Sequence, residues 1–190
     1  MEKVLFVNAC VRPDSRTLDL AKTVLQKLDG TMEDVSLYDI PLLVLDLQGM
    51  EKRDFAVANQ DFADSVFDLP KQFAEADCIV IAAPYWDMMF PSVLKTYLEN
   101  ITVCGLTFRY SPEGRPQGLC KAKSVYYITT AGGFIGENDF GFSYVKAVAQ
   151  NFFGIHDVYR FAAEGLDIAG ADVDAILNNA KAAICDTMAQ

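Results

Sequence analysis

Ser15, Arg16 and Thr17 stand together between an apolar run and a helical period. At such a place the first backbone N–H groups of a helix lack carbonyl partners and carry the positive end of its dipole. Two hydroxyls flanking a guanidinium there suit a monophosphate. Ser15 equally suits the plain role of a helix N-cap. The stretch from Asn8 to Thr17 holds no glycine, which excludes the G-x-G-x-x-G dinucleotide fingerprint and the glycine-rich Walker phosphate loop. A second group, Pro84-Tyr85-Trp86-Asp87-Met88-Met89-Phe90, puts aromatics and methionines where loops ordinarily carry polar residues. It offers a flat apolar wall for a planar ring, or a surface for a partner subunit, and the two uses are compatible. A third, Thr129-Thr130-Ala131-Gly132-Gly133, permits close approach of backbone donors to a ligand and reads equally as a flexible turn.

Acid–base and nucleophilic machinery is sparse by comparison. The single histidine, His156, falls just before an apolar run and suits a surface or capping role. Cys10 sits in the first loop without a neighbouring base, so nothing marks it as a nucleophile. The five cysteines form no C-x-x-C pair and no zinc spacing, and no metal is expected. Scattered and odd in number, they fit a reducing compartment, where they act as small hydrophobes. A chain so equipped suits a cofactor that carries the hard chemistry itself.

The elements that must position these loops follow from the apolar pattern. Strands are predicted over 3–8, 34–38, 78–83, 124–129 and 158–162; the first is apolar enough for a central parallel strand. Helical spacing runs through Leu18, Ala21, Val24, Leu25 and Leu28, and Asp29-Gly30 ends that helix. Residues 40–54 read as irregular, with helix from about Phe55 and Pro70 breaking it or starting its second half. Further helices are expected over 91–101, with Pro91 at the first position, and over 142–153 and 171–188. Gly105 to Gly118 reads as a long loop or small hairpin.

Alternating β and α elements predict an α/β fold: a three-layer, doubly wound, five-stranded parallel sheet in one domain spanning 1–190. In such a sheet the ligand sits at the carboxyl ends of the strands, where strand order reverses. That rule selects the three loops named above.

Composition narrows the partners. With 190 residues, 52 % of them apolar and 22 % charged, the chain can build a full core. Its net charge of −10 opposes binding to nucleic acid or to an anionic membrane surface and favours a small-molecule partner. No apolar run is long enough to span a bilayer, and the N-terminus lacks the apolar core of a signal peptide, so a cytoplasmic protein is expected.

Ile81-Ala82-Ala83-Pro84-Tyr85-Trp86, followed by Pro91-Ser92-Val93-Leu94-Lys95-Thr96-Tyr97, resembles the flavin-binding stretch of quinone reductases and FMN-dependent NADH-azoreductases. Gly105-Leu106-Thr107-Phe108-Arg109-Tyr110 is similar to the azoreductase motif G-x-T-F-R-Y, and Ile128 to Gly133 resembles that family's glycine loop. The resemblance implies a flavodoxin-like fold, FMN in preference to FAD, and NADH or NADPH as electron donor. Flavin N5 would carry the hydride in a ping-pong reaction with a quinone or azo acceptor, with no side chain required as catalyst. It implies phosphate contacts from Ser15, Arg16 and Thr17, with Cys10 where azoreductases often carry serine. Pro84, Tyr85, Trp86, Asp87 and Met88 would line the isoalloxazine, and Thr130, Ala131, Gly132 and Gly133 would reach its pyrimidine edge. Tyr110 would lie near the substrate, contributed across a homodimer interface.

The chain departs from that pattern at Asp87, where the family often has asparagine, and at Ala131, where azoreductases can carry arginine. A flavodoxin-like electron carrier and a redox-sensing regulatory subunit, both without efficient nicotinamide turnover, are the competing classes.

Overall fold

The computed structural model describes residues 1–137 and 139–189. Strands β1 (Lys3–Asn8), β2 (Thr31–Ser36), β3 (Cys78–Ala82), β6 (Ser124–Thr130) and β7 (Asp157–Ala163) form one parallel sheet in the order β2-β1-β3-β6-β7. After β1 the chain steps outward to β2, then returns past β1 to β3. The reversal of strand order therefore falls between β1 and β3. This is the three-layer α/β architecture expected.

Helices α1 (Arg16–Leu25) and α6 (Val173–Met188) cover one face; α3 (Asp68–Glu75), α4 (Ser92–Ile101) and α5 (Phe140–Val148) cover the other. Because strand side chains alternate, Val4 and Phe6 of β1 join Leu20, Val24 and Ile184, whereas Leu5 and Val7 join Phe73, Leu94, Tyr97 and Phe153. All five residues of β3 are buried, as befits the middle strand, while β2 at the edge buries only Val35. A separate small cluster, Ala56, Phe67 and Val103, anchors α2 (Leu47–Asn59).

Several boundaries differ from the expected ones. Helix α2 starts at Leu47, inside the stretch read as irregular, because the Asp46 carboxylate caps it by accepting from Gly49 N–H at 2.8 Å. It buries only Ala56, so no inward apolar period announced it. Pro70 is the third residue of α3, where a missing N–H costs no intrahelical bond. Pro91 takes the extended position just before α4 rather than its first turn. Beyond α5 a single π-helical turn, Ala149–Phe153, ends at Gly154 with φ 75°. The Gly105–Gly118 segment is a hairpin, β4 (Phe108–Tyr110) against β5 (Pro116–Gly118).

Candidate active site

Ser15 precedes α1 with extended backbone, and its hydroxyl accepts from Leu18 N–H at 3.4 Å. It is thus an N-cap, and the N–H groups of Arg16 and Thr17 stand at the first two helical positions, where no carbonyl lies one turn back. Thr17 is fully buried, and its hydroxyl meets that of Thr130 at 2.6 Å. One hydroxyl proton is consumed by that bond, which leaves one to offer elsewhere. The contact ties the helix after β1 to the end of β6 and closes one side of a cleft.

The cleft has a volume of about 540 Å³ and lies at the carboxyl ends of the strands. Of the residues expected from sequence, it brings together Ser15, Arg16, Thr17, Pro84, Tyr85, Trp86, Thr130, Ala131 and Gly132. Tyr85 N–H donates to Thr130 carbonyl at 3.0 Å, which holds the aromatic segment beside the glycine loop. Gly132 leaves room for the Asp167 side chain: a Cβ there would fall 2.3 Å from Asp167 Oδ2 and push the carboxylate aside.

Five residues from the expected set stand elsewhere. Cys10 is buried beneath the first loop, its Sγ 3.8 Å from the Ala82 carbonyl, and burial pushes its thiol pKa up. A thiol so placed packs like a small hydrophobe and does not line the cleft. Asp87 and Met88 form the tip of a two-residue turn, closed by Trp86 and Met89 exchanging backbone hydrogen bonds of 2.8 Å each. Their φ values of 50° and 67° are left-handed, the geometry of a type I′ turn, and both side chains are exposed, outside the cleft lining. Gly133 lies just past the lining, its carbonyl taking the Gly165 N–H at 2.9 Å. Tyr110 is exposed on β4, edge-on to Phe108 at 5.3 Å, and does not reach this cleft in a single protomer.

Sequence reading missed a fourth loop, the one after β7. Leu166 N–H and Asp167 N–H bond the carbonyls of Ala131 and Gly132 at 3.2 and 2.9 Å. This lays Asp167 across the glycine loop, and its carboxylate pairs with the Arg16 guanidinium at 2.8 Å. Arg16 also donates to the Leu166 carbonyl at 3.1 Å. Val11, Arg12 and Asp14 complete the rim. The only sequence signal for Asp167 was its place after a strand end, which the rule for doubly wound sheets covers but does not single out.

A family model described as flavodoxin-like fold matches residues 2–188. The chain is 35 % identical to FMN-dependent NADH:quinone oxidoreductase 2 of Clostridium acetobutylicum, with 94 % of each covered. It is 36 % identical to the FMN-dependent NADH:quinone oxidoreductase of Lachnoclostridium phytofermentans, with 95 % of each covered. The chain belongs to the flavodoxin-like family of these quinone oxidoreductases. Among solved structures it is similar to the azoreductase of Bacillus anthracis, with a TM-score of 0.84, 25 % identity and 99 % of each chain covered. As a member of this oxidoreductase family the chain is an enzyme.

Proposed function

We propose that this chain is an FMN-dependent NADH:acceptor oxidoreductase that reduces quinones or azo compounds by ping-pong exchange in a single cleft. The observation that carries this reading is the convergence of a helix N-terminus, an aromatic segment and a glycine loop on one cavity. Its volume, about 540 Å³, lies within the roughly 300–1,000 Å³ of small-molecule and cofactor sites. The residues present fit the cofactor. The Arg16 and Thr17 N–H groups and the capped start of α1 offer an anion site for the phosphate. Tyr85 and Trp86 offer a flat wall for the ring, and Gly132 leaves the loop backbone open to approach. Bound there, FMN would supply the redox chemistry, receiving hydride at N5 and delivering it to the acceptor. The chain's own part is to hold the phosphate, shield one ring face from water, and set backbone donors near the ring edge where reduction builds negative charge.

We also read the protein as a homodimer. Support comes from an apolar surface that the protomer leaves uncovered: Leu43, Val44, Leu47 and Phe55 are between 59 and 78 % exposed along the segment leading into α2 and on that helix. Exposed apolar side chains grouped along one stretch of chain are what a subunit interface covers. Tyr110, away from its own protomer's cleft, is then free to serve the partner's.

Absorption spectroscopy during FMN titration, followed by anaerobic NADH and NADPH, tests the reading. Binding with the flavin absorbance bleached rapidly by NADH, then restored by a quinone, is expected. A chain that binds no FMN overturns it. Flavin that binds but bleaches only with chemical reductant favours the electron-carrier class.

A further inference from the structure

The charges around the cleft cancel. Arg12 and Arg16 line it together with Asp14 and Asp167, and the guanidinium of Arg16, on the first residue of α1, is engaged by Asp167 at 2.8 Å. The backbone of Asp167 is fixed against the glycine loop. Its N–H is bonded to the Gly132 carbonyl, and its carboxylate occupies the space that any side chain at position 132 would need. A phosphate monoester carries nearly two negative charges at neutral pH. Arriving at the start of α1, it meets an arginine already paired and a carboxylate of its own sign. Resting on the reading that this cleft takes FMN, we propose that Asp167 is a specificity-determining residue which competes with the cofactor phosphate for Arg16. The N–H groups at the start of α1 still receive the phosphate, and Asp167 withholds only the part of its binding that a free Arg16 would add. The margin between FMN and its dephosphorylated form, riboflavin, is thereby narrower than a free Arg16 would make it.

The consequence separates two ligands that share a ring and differ by one phosphate. With its side chain 65 % exposed, Asp167 can be replaced without disturbing the core. Asp167→Asn keeps the shape and removes the charge. Fluorescence titration at low ionic strength should show FMN binding tighter by about three- to tenfold, with riboflavin affinity unchanged. The gain should shrink as salt rises from about 20 mM to about 500 mM, since the pair is solvent-accessible. Asp167→Asn should gain less in an Arg16→Gln background, where no freed guanidinium remains and only the relief of like-charge repulsion is left. Asp167→Ser, tested alongside, should move in the same direction as Asp167→Asn. FMN affinity unchanged in both single variants, or FMN and riboflavin shifting together, overturns the proposal and leaves the FMN reading standing. Wild-type protein that binds neither flavin overturns the FMN reading and this proposal with it.

Discussion

Trp86 stands 44 % exposed on the cleft wall, held by its backbone bonds to Met89 rather than by burial of its ring. A ring left this accessible is available for stacking, so Trp86→Ala should weaken FMN binding by about 1–3 kcal/mol, by analogy with aromatic–base stacking. Unchanged affinity in a flavin fluorescence titration would remove Trp86 from the site. Its neighbours store strain. Asp87 and Met88 both sit at positive φ, and methionine has no local hydrogen bond to compensate, at a cost of about 1–2 kcal/mol. Met88→Gly should therefore raise stability by up to about 1 kcal/mol after the glycine's extra chain entropy is deducted. A lower urea midpoint than wild type would show that the turn is not strained. Which residues flank the aromatic wall was legible in the sequence. That Asp87 and Met88 form a type I′ tip was not, because neither residue type announces left-handed backbone as glycine does.

At the scale of elements, the loop between β6 and α5 is pinned by one ionic cluster. Arg160 of β7 pairs with Asp139 at 2.5 Å and with Glu164 at 2.9 Å. Asp139 also caps α5 through Phe142 N–H, and Glu164 accepts the Ile135 N–H at 3.0 Å. Burial would raise the Glu164 pKa, but the hydrogen bonds from Arg160 and Ile135 outweigh it and leave it below the ordinary value of 4.5. A depressed carboxyl pKa contributes stability that is present above the unfolded-state value and lost as pH falls through the folded one. The stability difference between wild type and Glu164→Gln should accordingly be constant near neutrality and shrink below about pH 4.5. Thermal melts between neutral pH and strong acid would read it, and a difference that grows in acid would reverse the assigned sign. Elements that bury an apolar stripe, such as α1 and α4, were legible from spacing. The first half of α2, before Phe55, was not, because Leu47 is exposed and the helix start depends on the Asp46 cap.

At the scale of the whole molecule, the exposed apolar surface around α2 predicts a self-association that one charge can break. Leu47→Glu should shift the protein from dimer to monomer in light scattering at micromolar concentration, while a monomeric wild type would remove the basis for Tyr110 acting in trans. Sequence by itself determined the order of β and α elements, hence the sheet class, because side chains on a two-sided buried strand must be apolar on both faces. It also determined which three loops lie at the strand ends, since the position of the strand order reversal follows from the fold class. Only the tertiary structure decided what those loops do to one another. The Thr17–Thr130 bond, the Arg16–Asp167 pair and the room kept for it by Gly132 join residues up to 151 positions apart. No local pattern encodes such contacts: they arise when the parallel sheet brings the ends of β1, β6 and β7 to one side, and there a carboxylate from the last loop meets an arginine from the first.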